Sequence, residues 1–285
     1  MAVEDADLPR PEPAAGPQAV IAVAAEEADP AALNRSLAQP DCWGSLRALT
    51  PARLALGRAG ASLPTDEVLR FGWDHAQARD AVQTRLDVEA LQRDIGALGL
   101  ATLRVASRAT DRAIYLMRPD LGRRLDPDDA QALEQAAGGG CDLAVVVADG
   151  LSSLAVQRHA PALLAEVIRA APSDWRFSPV VIATQARVAL GDEIGERLRA
   201  GMVAILIGER PGLSSPDSLG IYLTWGPRVG KLDADRNCIS NIRPQGLAYA
   251  QAARTLAWLC REAFECRFTG VRLKDRSDLV DVGAE

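Results

Sequence analysis

Three apolar runs constrain the fold of this chain more than any other feature: CDLAVVVADGLS at 141–152, SPVVIATQ at 178–185 and MVAILIGERPG at 202–212. Each is short, dominated by Val, Ile, Leu and Ala, and ends in a polar or Gly-containing turn. Apolar runs without alternation are strands buried on both faces, as in parallel sheets, rather than half-exposed hairpin strands. Stretches with helical character follow the first two, SSLAVQRHAPALLAEVIRA and ARVALGDEIGERL. Strands alternating with helices predict an α/β fold, a Rossmann-like open, mainly parallel sheet with helices on both faces. We expect this domain over 99–285, preceded by a small helical region at 46–98 and a disordered tail at 1–45.

The tail is rich in Pro, Ala and acidic residues, as in EDADLPRPEPAAGP, and buries too little apolar area to offset its ordering entropy. Its segment QAVIAVAAEE has the pattern of a short amphipathic helix. In LTPARLALGRAG, Thr50 as N-cap, Pro51 at the first position and Gly57 at the end predict a helix. A second helix is expected at PTDEVLRF, with Thr65 as the cap and Asp66 and Glu67 in its first turn. There Val68, Phe71, His75, Val82 and Leu86 share one face, which predicts a packed His75 rather than a proton-transfer group.

Composition excludes several partner classes. A formal charge of −6 disfavours nucleic acid and anionic membrane surfaces. The five cysteines have no framework spacing, and no apolar run is long enough to cross a bilayer, so a reducing cytoplasm is the expected location. GLSSL is not a hydrolase elbow, and no G-x-G-x-x-G follows a predicted strand. Neither metal-ligand spacing nor a catalytic residue is evident.

Ligands of open α/β sheets bind beyond the carboxyl ends of the strands. That rule selects Asp149, Gly150 and Ser152, the segment Gln185–Val188, and Glu209 to Gly212. Asp149 has an equally good role in an Asx turn, whereas Glu209 lies between an apolar strand and a Pro-Gly turn and has no capping role. DRNCISNIRP at 235–244 places Cys238 among Arg, Asn and Ser, which predicts a polar binding loop at the same rim. Cys260, beside Leu256 and Ala263, is expected in the core. RPDLGRR at 118–124 concentrates cations in an acidic chain, either as a solvated run or as an arginine cluster for anions.

GRAG, PTDEVLRFGWDHAQARDAV, YLMRPDLGRRLD, ADGLS, ARVALGDEIGE, LIGERPGLSSPDSLG and DRNCISNIRPQG together resemble the light chain of ethanolamine ammonia-lyase, in the same order from about 50 to 275. The resemblance implies the light subunit of an adenosylcobalamin-dependent enzyme that converts ethanolamine to acetaldehyde and ammonia by a radical route. It implies a hetero-oligomer with a heavy chain that carries the substrate pocket, the light chain closing the corrinoid site. By motif, the positions implied to contact adenosylcobalamin are Val188, Glu209 and Cys238. The chain lacks the D-x-H-x-x-G pattern of proteins that replace the cofactor's own base, so a base-on cofactor is expected. Arg123 and Arg124 are then expected at the heavy-chain contact, and some relatives are associated with bacterial microcompartments. Other classes remain at this point: a stand-alone binding module, a hydrolase using Ser152, or a scaffold recruited through its tail.

Overall fold

The computed structural model describes residues 37–277. QAVIAVAAEE and most of the expected tail lie outside the described residues. A short 3-10 turn at Gly44–Ala48 leads to α1 (Thr65–Gln83) and α2 (Val88–Ala97). Then follow β1 (Thr102–Ala106), α3 (Arg112–Met117), α4 (Pro127–Ala136), β2 (Cys141–Ala148), α5 (Ser153–Ala170), β3 (Val180–Thr184), α6 (Leu190–Arg197) and β4 (Ala200–Gly208). The chain ends in β5 (Leu219–Trp225), β6 (Arg236–Ile242) and α7 (Tyr249–Cys266).

The six strands form one sheet in the order β1-β3-β2-β4-β5-β6. The pairings β1–β3, β3–β2 and β2–β4 are parallel, and β4–β5 and β5–β6 are antiparallel. The sheet is thus open and mixed α/β with helices on both faces. Its parallel half is extended by an antiparallel ribbon that the apolar runs did not announce.

Two cores sandwich the sheet. On one face α2, α5 and α7 bury Leu91, Ile95, Leu163, Leu164, Leu256 and Leu259 against Val145, Val147, Ile182 and Leu206. On the other, Leu133, Leu190 and Ile194 from α4 and α6 cover Val146, Val181, Val203 and Ile205. Alternate residues of β2 therefore enter opposite cores, which is why the run carries no polar alternation. Burying each such side chain contributes roughly 1.5–3 kcal/mol. Cys260 is in the first core, as its apolar neighbours predict.

Two local expectations are corrected. Residues 50–57 form no helix: Ala55 and Gly57 have positive φ of 54° and 74°, and Arg58 pairs with Gln39. Gly57 lies against the Gln39 carbonyl, so pairing with a distant segment overrides the local Thr-Pro signal. Thr65 is the first residue of α1 rather than its cap; Pro64 takes the cap position, with Asp66 and Glu67 in the first turn.

At the carboxyl ends of the strands two glycines allow a close crossing. Gly150 has φ +56°, and a Cβ there would lie 2.2 Å from the Gly208 carbonyl oxygen. A Cβ on Gly208 would fall 2.1 Å from the Ser152 carbonyl oxygen and 2.7 Å from that of Asp149. Because these obstacles are backbone atoms, Gly208→Ala is expected to cost about 1–3 kcal/mol or more. A thermal unfolding curve superimposable on that of the parent protein would contradict this.

Candidate functional site

DRNCISNIRP is not a loop. Arg236–Ile242 is the edge strand β6, and Cys238 pairs with Tyr222 of β5, which in turn pairs with Ile205 of β4. Ile239 and Ile242 point into the core beneath α7, and this burial holds the segment as a strand. A register shift opposite Leu219/Ile221, with Asn241 at φ +59°, keeps both isoleucines inward although they are three residues apart. Ile205 belongs to the core under α6, and Tyr222 packs against it. Cys238 therefore faces the α6 side of the sheet. The helix packed on β6 is α7, on the opposite side, and Cys238, Ser240 and Asn241 are exposed.

Glu209 follows β4 directly, and its N–H donates to the Ser218 carbonyl at 2.9 Å. Its carboxylate accepts from the Ser218 hydroxyl at 2.5 Å and from the Asn241 N–H at 3.3 Å. Gly220 lacks the side chain that would collide with this carboxylate, since a Cβ there would lie 2.8 Å from Oε1. Glu209 is thus oriented at the end of the open ribbon. Burial, then the Glu209 charge, push the Cys238 thiol up, while Tyr222 pulls it partly back. Burial, followed by Cys238 and Glu209, raises Tyr222 well above its ordinary range. The fold brings Glu209, Cys238 and Tyr222 together.

Val188 lies in the turn before α6, on the wall of a cleft of about 400 Å³. This cleft runs to Arg236, two residues before Cys238 on the same strand. One α-helical turn after Val188, Asp192 forms a buried ion pair with Arg236. That pair pins α6 to the start of β6 and relates Val188 to the strand bearing Cys238. Burial raises the Asp192 pKa against the opposing pull of Arg236.

The remaining sequence candidates have structural roles. Asp149 is buried, and its carboxylate accepts from the N–H groups of Gln185 at 2.8 Å and Ala186 at 3.0 Å. Ser152 is buried, caps Ala155 and donates to the Pro216 carbonyl, which removes the hydrolase reading. The expected packing of His75 is not found: it is exposed, near Phe71, because the face of α1 that carries it points away from the sheet. His159 is buried, with Nδ1 2.8 Å from the Tyr249 hydroxyl and Nε2 3.3 Å from Asp217. Arg124 is bound to buried Glu193 within this chain, so only Arg123 of that pair is left without a side-chain partner among the described residues.

Sequence reasoning missed Tyr222 and the Arg236–Asp192 pair. Tyr222 carries no local signal because its role comes from its cross-strand neighbour. Arg236 was visible as a charge beside an apolar position, but its partner is 44 residues away.

These features define an open-sheet α/β protein whose polar groups converge on the α6 side of its antiparallel ribbon, where Cys238 is exposed. The family model of the ethanolamine ammonia-lyase light chain (EutC) matches residues 40–274. Curated relatives called ethanolamine ammonia-lyase small subunit include one from Xanthomonas campestris pv. campestris, 56% identical over 249 residues (86% of this chain, 92% of the relative). Others come from Azotobacter vinelandii, 56% identical over 250 residues (86% and 93%), and Ralstonia nicotianae, 57% identical over 241 residues (83% and 89%). This chain belongs to the ethanolamine ammonia-lyase light chain family.

Cys42, Cys238 and Cys266 are all exposed, but only Cys238 lies beside Glu209 and Tyr222, with its thiol pushed up. At pH 7.5 Cys238 is expected to alkylate more slowly than either, by on the order of 3–10-fold, because the thiolate is the reacting species. Glu209→Gln should speed it by removing the adjacent charge. Peptide mass spectrometry after timed iodoacetamide labelling reads both; equal rates at the three cysteines would contradict the geometry.

Proposed function

We propose that this chain is the light subunit of an adenosylcobalamin-dependent ethanolamine ammonia-lyase, closing the corrinoid site against a catalytic heavy chain. One observation carries this reading. Glu209 and Cys238, two of the positions that the family resemblance marks as cofactor contacts, converge with half-buried Tyr222 on the α6 side of the sheet, where Cys238 and Asn241 are exposed. A corrinoid is a broad ring edged by amides, and such a ring is recognised by a flat surface with small polar groups. The oriented Glu209 carboxylate suits an amide N–H, and the Cys238 and Asn241 side chains leave room for a ring edge.

When bound, the cofactor supplies the radical chemistry that moves a hydrogen atom from and to the substrate. The residues of this chain bind and orient it and exclude water; we assign them no catalytic role. An interface that closes over a reactive site protects it from solvent. Val68, Leu69, Phe71 and Trp73 expose a large apolar surface on α1, as expected of a chain that functions against a partner. Among the described residues no helix is long and apolar enough to cross a membrane. We place the complex in the cytoplasm, with residence in a bacterial microcompartment as a finer reading drawn from the family.

Reconstitution tests the subunit assignment. Acetaldehyde is expected from ethanolamine and adenosylcobalamin only when this chain and a heavy chain are combined. Glu209→Gln should raise the apparent cofactor KM about tenfold, the effect of losing a hydrogen bond to a charged group, while kcat is largely retained. Turnover by the heavy chain alone at the same rate would refute the assignment.

We also propose that the cofactor keeps its own base. His159 lies on α5, on the face of the sheet opposite Cys238, and is held by Tyr249 and Asp217; His75 lies on the outer surface of α1. Electron spin resonance of the cobalt(II) form in the assembled enzyme should show no change in nitrogen coupling when histidine is labelled with nitrogen-15. A label-dependent coupling would overturn the base-on reading.

A further inference from the structure

The cleft beside Val188 has a charge pattern that nothing in the preceding site requires. The chain is acidic, at −6 overall, yet the cleft is lined by Arg123, Arg124, Arg187, Lys231 and Arg236 against the carboxylates Asp192 and Asp233. Both carboxylates are bound to Arg236, and Arg124 is bound to Glu193 from outside the cleft. This leaves Arg123 and Arg187 without a carboxylate partner among the described residues, and Lys231 near Asp192 but outside ion-pair distance.

Two of the guanidinium groups present unused donors. Arg236 is 7% exposed, and its Nε is buried with no acceptor. The Nε of Arg187 is likewise buried and unpaired. Arg187 is not loose: its guanidinium stacks 4.2 Å over the Tyr115 ring, and one of its other nitrogens donates to the Tyr115 carbonyl at 3.1 Å. The N–H groups of Val188 and Ala189, just before α6, also find no acceptor among the described residues. A buried polar group without a partner is costly. Several donors of one sign lining one cleft therefore point to an absent acceptor. A fixed guanidinium matches the oxygens of a phosphate in charge and in shape.

We propose that this cleft binds a phosphate group. Two sources share that chemistry: the phosphodiester in the nucleotide tail of a cobalamin, or a free phosphate species. The first rests on the cofactor reading above; the binding site itself does not.

The test uses the full chain, alone and assembled with a heavy chain. Inorganic phosphate titrated into the full chain by isothermal calorimetry should bind saturably, more weakly as ionic strength rises. The double variant Arg123→Gln/Lys231→Gln removes two cations whose side chains make no ion pair within 4 Å among the described residues. It should unfold at the parent temperature and lose phosphate affinity by at least about fivefold, the weakening expected from a lost charged contact or more. Absence of saturable binding, or equal binding by the folded variant, would overturn the site.

In the assembled enzyme, cobalamin is compared with cobinamide, which keeps the corrin ring but lacks the nucleotide tail and its phosphate. Weakened cobalamin binding with unchanged cobinamide binding in the double variant assigns the cleft to the phosphodiester. Equal responses of the two corrinoids overturn that source and leave the cleft to a free phosphate species. Phosphate binding without any corrinoid binding supports the cleft while refuting the cofactor reading.

Discussion

The buried carboxylate of Asp149 is the contact on which the rest of the rim depends. It ends β2 and holds the backbone N–H groups of Gln185 and Ala186, where the chain leaves β3. Arg112 lies 3.8 Å from it and donates to the Gly150 carbonyl, tying the start of α3 to the same point. Burial raises the pKa of this carboxyl, and the backbone donors and Arg112 oppose that rise. Two consequences reach the functional face. The fixed Gln185–Ala186 segment sets the path of Arg187 and Val188 into α6. The close crossing of Gly150 and Gly208 sets where β4 ends, and so where Glu209 begins.

The other half of the face comes from the antiparallel ribbon. In the parallel part of the sheet each strand is covered on both sides, so ligands are restricted to the carboxyl ends. On the α6 side, β5 and β6 are covered only at the Thr224 and Arg236 end, which leaves Tyr222 half-buried and Cys238 exposed beyond the helix. An exposed edge strand is a liability unless its side chains or a partner cover it. Here the edge carries Arg236, Asn237 and Cys238 before its first buried isoleucine, and Ser240 and Asn241 between the two. This composition is compatible with solvent and suited to polar recognition.

Arg236 links these two halves. Its side chain is buried against Asp192, and breaking such a buried pair typically costs about 3–5 kcal/mol because one charge is left uncompensated. The pair holds α6 over the first residue of β6 and forms the floor of the cationic cleft. The same arginine therefore fixes the register between the Val188 turn and the Cys238 strand while keeping one donor unused.

The sequence by itself determined the buried strands, the helices between them and the candidate rim positions. Uninterrupted aliphatic runs have only one economical solution, a sheet covered on both faces. The order of the motifs likewise carries the family resemblance. It did not determine that DRNCISNIRP is a strand, because five of its ten residues are charged or amide-bearing and only Ile239 and Ile242 favour a sheet. It misplaced the helix at 50–57, where pairing with Gln39 overrides the local capping signal, and the packing of His75, whose helix face is exposed. Only the tertiary structure decided that Tyr222 flanks Cys238, that Asp192 meets Arg236, and that Arg124 is taken by Glu193 rather than left for a partner. Each of these depends on strand register or on charges many residues apart, and neither leaves a trace in local residue patterns.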